Sequence, residues 1–158
     1  MKAVINSTPL IALAITNNLD LLSILFDQVF VPDSVYCEVT KQGLRPGAKE
    51  VSQIDWFTIK SPKFSPIPPE ILKLDQGEKD VILLALETKA DWIILDENLG
   101  RKIALNLGCQ IKGTLGILLI AYKTNLISKE DTIKAINILS QSSIRLSSNL
   151  LEWFLKQL

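Results

Sequence analysis

Residues 75–100 read DQGEKDVILLALETKADWIILDENLG, and this stretch decides the fold class. Asp75-Gln76-Gly77-Glu78 opens a helix running to about Lys89, whose Val81, Ile82, Leu84, Ala85 and Leu86 are apolar. Asp91 to Leu95 then reads as a buried strand ending at Asp96-Glu97, and Asn98 to Leu107 as a helix closed by Gly108. A helix, a largely apolar strand and another helix in so short a span call for a parallel sheet covered on both faces.

The same alternation extends outward. Upstream, Lys2 to Ile5 is a short strand, and Asn6-Ser7-Thr8-Pro9 is a helix start with a capping side chain and a proline in the first turn. Helices follow over Leu10–Ile15 and Leu19–Phe26, then a strand over Val29–Val31. Pro32-Asp33-Ser34 starts a helix carrying Val35, Tyr36, Cys37 and Val39 that ends near Gly43. Ala48 to Ile54 is a further helix, Trp56 to Ile59 has strand character, and Ser61 to Pro69, with four prolines, is an extended connector before a short helix over Pro68–Leu74. Downstream, Gln110 to Lys112 is a strand and Gly113-Thr114 opens another helix. Ser128 with Asp131 resembles a capping box at the start of a helix through Leu139, and Ser147 starts a last helix bearing Leu150, Leu151, Trp153, Phe154 and Leu158. These apolar residues suit either the chain's own core or a dimer contact.

The 158 residues suit one domain, 1–158, and 47% of them are hydrophobic. No apolar run approaches the roughly 20 residues of a spanning helix. The opening MKAVINSTPLIALAI is broken by Asn6 to Pro9 before it reaches signal-peptide length, so a cytoplasmic protein is expected. Cys37 and Cys109, in apolar surroundings, are expected to be buried free thiols. Histidine is absent, which excludes His-based triads, His-ligated zinc and imidazole bases. Lys plus Arg equals Asp plus Glu at 17 each, so nucleic acid would have to meet a local basic patch.

Ligands bind parallel sheets at the carboxyl ends of the strands. Asn6-Ser7-Thr8, Asp96-Glu97-Asn98 and Gly113-Thr114 all fall at such ends, and Glu38 and Glu78 lie early enough on their helices to be near them. Gathered carboxylates repel one another unless a cation neutralises them, and Mg²⁺ or Mn²⁺ prefers oxygen ligands. Each residue also has a plainer reading. Glu78 can be a first-turn charge against the helix dipole, Asp96 a cap, Glu38 a solvated face residue and Asn6 an N-cap.

Together, AVINSTPLIAL (3–13), LDLLSILF (19–26), VFVPDSVYCEV (29–39), the stretch from Leu74 to Gly108 and IKGTLGILLIA (111–121) resemble the PIN-domain superfamily, more closely a branch related to VapC-type toxins. The resemblance implies a three-layer α/β/α fold with a parallel central sheet of about four to five strands and a helical C-terminus. It also implies a Mg²⁺- or Mn²⁺-dependent ribonuclease, a small antitoxin partner and a homodimer. The family's four acid positions fall on Asn6, Glu38, Glu78 and Asp96, with Asn98 where a further acid often stands and Glu97 beside it. The hydroxyl that usually follows the first acid is matched by Ser7 or Thr8. On this reading Glu38, Glu78 and Asp96 hold the metal with Asn6, and Asn6 with Thr8 positions water. Lys41, Arg45, Lys49, Arg101, Lys102 and Lys112 are candidates for a basic rim gripping RNA. Asn6 in place of aspartate removes a negative charge but keeps a carbonyl ligand. The alternative is therefore a catalytically weakened module that binds RNA or a protein without turnover. A phosphatase is disfavoured because no DxD motif follows the first strand.

Overall fold

The computed structural model describes the backbone of residues 1–158 and every side chain except that of Gln42. Lys2–Ile5 forms β1, in which Ala3, Val4 and Ile5 are completely buried. A strand covered on both faces needs an apolar run rather than alternation, and β1 lies at the centre of the sheet. Gln28–Pro32 (β2), Phe57–Lys60 (β3), Trp92–Ile94 (β4) and Ile111–Lys112 (β5) complete it in the order β3-β2-β1-β4-β5, with every pairing parallel. Along the chain the sheet first grows from β1 to β2 and β3, then resumes on the other side with β4. The reversal lies between β1 and β4, where Ile5 pairs with Ile94, and such a switch point leaves a crevice beyond the strand ends.

Helices fill the connections. Ser7–Ile15 (α1) and Asp20–Leu25 (α2) lead to β2, and Asp33–Thr40 (α3) and Ala48–Ser52 (α4) lead to β3. Gln76–Thr88 (α5) lies across β2, β1 and β4, and its Val81, Ile82 and Leu84 are fully buried. Asn98–Asn106 (α6), Thr114–Lys123 (α7), Lys129–Ser140 (α8) and Ser148–Leu155 (α9) follow. The sheet lies between helical layers in a three-layer α/β/α arrangement, as the sequence leads one to expect. Among the described residues no helix is long and apolar enough to cross a membrane.

Two expectations change. Cys37 is exposed and Cys109 half-buried, both as free thiols. On α3 the buried positions are Val35 and Val39, one helical turn apart, and that phase turns residue 37 outward. The last helix also divides its apolar residues. Phe154 is completely buried, and the Tyr122 hydroxyl donates to the Leu158 carbonyl at 2.9 Å, which pins the C-terminus to the core. Leu150, Trp153 and Leu155 remain exposed. Asp80, an acid outside the candidate site, is buried and accepts from Ser34 Oγ at 2.5 Å and Gln76 Nε2 at 2.8 Å. Those bonds satisfy its carboxylate and tie α3 to the first turn of α5.

Candidate functional site

Asn6 ends β1 and occupies the N-cap position of α1, yet its side chain makes no capping bond. Instead Nδ2 donates to Glu97 Oε2 at 3.3 Å, across the gap between β1 and β4. The other oxygen of Glu97 accepts from Thr8 Oγ1 at 2.7 Å. The Asn6 side-chain oxygen Oδ1, on a residue only 3% exposed, has no hydrogen-bond partner. A buried amide oxygen without a partner costs about 1–3 kcal/mol, so it marks a place where a ligand would be welcome. Sequence reasoning underrated Glu97. The available signal was its position beside Asp96 at a strand end, but its direction depends on a neighbour 91 residues away.

Glu78 reaches the same crevice from α5. Asp75 Oδ1 accepts from the Glu78 amide at 2.9 Å and Glu78 Oε2 accepts from the Asp75 amide at 3.2 Å, a complete capping box. The structural reading of Glu78 therefore holds, and the residue also projects into the crevice. It is 7% exposed, and burial, followed by the charges of Asp75 and Glu97, pushes its pKa up to about 7. Glycine at position 100 makes room for it, since a Cβ there would lie 2.8 Å from Glu78 Oε1.

Asp96 leaves β4 and turns toward the start of α7. It accepts from the Thr114 amide at 2.8 Å and from the Thr114 hydroxyl at 2.6 Å. A Cβ on Gly113 would fall 2.6 Å from Asp96 Oδ1, so only glycine permits this approach. Arg101 donates to the Leu95 carbonyl at 2.8 Å and lies close by. Burial pushes the Asp96 pKa up and Glu97 adds to it, against the lowering by Thr114 and Arg101.

The remaining candidates are placed differently. Glu38 is exposed on α3, and its Oε1 lies 3.6 Å from Arg45 rather than in contact with the other acids. Arg45 in turn lines a cavity of about 540 Å³ with Thr8, Asp96 and Glu97. Ser7 makes no side-chain hydrogen bond among the described residues, so Thr8 is the hydroxyl engaged with the acids. Of the expected basic rim, Arg101 and Lys112 line a second cavity beside Asp96, whereas Lys41, Lys49 and Lys102 are exposed. Arg145, which sequence reasoning passed over, lines both cavities. Its signal was a lone cation between Ile144 and Leu146 in a serine-rich connector.

The residues suit a small, hard divalent cation in kind. All the donors are oxygens, the Asn6 side-chain carbonyl is free, and burial holds two carboxylates above their ordinary pKa, which a bound cation would offset. Among the described residues, no three acids stand close enough to enclose an ion by themselves.

No curated protein matches the chain. A family model described as PIN domain matches residues 2–158. With its parallel sheet and its polar residues meeting at the β1–β4 switch point, the chain belongs to the PIN-domain family, a fold of the nuclease type.

Proposed function

We propose that the protein is a metal-dependent ribonuclease whose site is the β1–β4 crevice. The observation that carries this reading is Asn6, whose amide holds Glu97 in the crevice while its carbonyl stays buried and unpartnered. Glu78, Asp96 and the Asn6 carbonyl would hold Mg²⁺ or Mn²⁺, a cation that, once bound, polarises water and stabilises charge on a phosphodiester. Glu97 supplies beside Asn6 the negative charge that an aspartate at position 6 would carry. Thr8 keeps Glu97 turned inward, and Thr114 fixes both oxygens of Asp96. Glu38 acts from the rim, through its pairing with Arg45. The resemblance to VapC-type proteins supports a toxin role, with a small antitoxin covering the crevice and a homodimer as the assembly.

A second reading is a module that binds RNA or a protein without turnover. It is favoured by the lack, among the described residues, of three acids within reach of one ion.

One experiment separates the two. The purified protein is expected to cleave RNA with Mn²⁺ and to stop in EDTA, and Asn6→Asp is expected to raise Mn²⁺ affinity in calorimetry by about tenfold, because ligand charge sets affinity. If only Asn6→Asp cleaves, the second reading holds. Lack of Mn²⁺ binding and cleavage in both proteins would remove the nuclease assignment.

A further inference from the structure

The two cavities beside the acids, each about 540 Å³, share Thr8, Asp96, Asn98, Ile144 and Arg145. They form one trough that passes over Asp96. One end reaches Arg45, and the other runs past Lys112 to Leu150 and Trp153 on α9. Leu150 and Trp153 lie three residues apart, so they share a helix face. Trp153 is 48% exposed, yet its helix is held firmly by the buried Phe154 beside it and by the Tyr122–Leu158 bond. The anchored helix thus presents an exposed indole at the mouth of a polar crevice.

The cations along the trough differ in how far they are committed. Arg101 is bonded to the Leu95 carbonyl, and Lys112 Nζ lies 3.8 Å over the Trp92 ring. Arg145 forms no ion pair among the described residues. It is exposed and lines both cavities, the second together with Trp153, so its guanidinium is available to a ligand anion. A platform for a flat ring and a free guanidinium beside it match a nucleotide, with its base on the indole and its phosphate on the arginine.

We infer that this trough is a single-strand RNA subsite in which Trp153 stacks a nucleobase and Arg145 holds the adjoining backbone phosphate, extending the strand away from the acids. The inference rests on the proposed ribonuclease reading for which nucleic acid it takes, but not on turnover. A single strand fits because only unstacked bases can offer a face to the indole. A second copy of the chain fits poorly. A two-fold contact through this patch would bring Arg101, Lys112 and Arg145 toward their own equivalents.

The test is metal-free binding of an eight-nucleotide uridylate RNA to the intact chain in EDTA, followed by anisotropy of a labelled strand and by tryptophan emission with an unlabelled one. Trp153→Ala should weaken binding roughly tenfold, a loss typical of one stacked base. Trp153→Phe should bind within about threefold of the parent, yet lose the emission quenching seen with it. Arg145→Ala should flatten the dependence of log affinity on log salt by about 0.7, the contribution of one phosphate on a single strand. Unchanged affinity in Trp153→Ala, or sedimentation showing a dimer that buries Trp153 at the working concentration, overturns the inference. Trp153-dependent binding without Mn²⁺-dependent cleavage leaves the subsite standing and removes the nuclease reading. Cleavage indifferent to Trp153 does the reverse.

Discussion

Asp96→Asn is expected to lower Mn²⁺-dependent RNA cleavage by at least about 100-fold while leaving the melting temperature unchanged or slightly raised. The loss follows from the proposed role of Asp96 as the metal-holding carboxylate at the end of β4, because the charge stabilisation a bound cation supplies carries several kcal/mol of the barrier. The retained stability follows from geometry. Asn at position 96 keeps an oxygen for the Thr114 amide, now 2.8 Å from Asp96 Oδ1, and its NH₂ can donate to the Thr114 hydroxyl that now donates to Oδ2 at 2.6 Å. It also removes a charge that burial disfavours. Initial rates on RNA and thermal melts of the same preparations check both halves. Equal rates in the two proteins would remove Asp96 from the site, and a large fall in melting temperature would mean that the lost activity reports misfolding.

The second large effect concerns stability. In EDTA, Glu78→Gln is expected to melt several degrees above the parent at pH 8 and at the same temperature at pH 4. The Glu78 carboxyl is raised from 4.5 to about 7 in the folded protein. Below pH 4.5 it is neutral in both states and its contribution to stability is fully present. Between 4.5 and 7 the unfolded chain releases the proton while the folded one retains it, so stability falls as pH rises, and above 7 the loss is complete. A shift of that size corresponds to roughly 3 kcal/mol, or on the order of 10 °C for a chain of this length. Glutamine preserves the capping box, because its amide oxygen can accept from the Asp75 amide as Glu78 Oε2 does now at 3.2 Å. Melts across pH decide the matter, and a Glu78→Gln protein no more stable than the parent at pH 8 would show that the carboxylate is already compensated. Added Mn²⁺ should raise the melting temperature of the parent at pH 8 and narrow the gap, since a cation favours the ionised form.

Both predictions concern acids whose positions were legible before the fold was known. Glu78 opens α5 within a local capping pattern from Asp75, and Asp96 ends an apolar strand that could hardly be anything but buried. Such signals lie within a few residues and survive any arrangement of the rest. Asn6 was half legible. Its place at the end of β1 was evident, but its type suggested an N-cap, and the amide instead serves Glu97, far away in sequence at the start of α6. That Glu97 and Arg145 border the same cavity was illegible for the same reason.

By itself, the sequence determined the alternation of strands and helices, the apolar central strand and the residues standing at strand ends, because periodicity, capping and turn chemistry act over short distances. Only the tertiary structure decided that β1 and β4 are neighbours, that Asn6 and Thr8 hold Glu97, that Cys37 turns outward and that Trp153 borders the trough over Asp96. Those outcomes depend on strand order and helix phase against the sheet, which are set when the whole core packs and which no local stretch encodes.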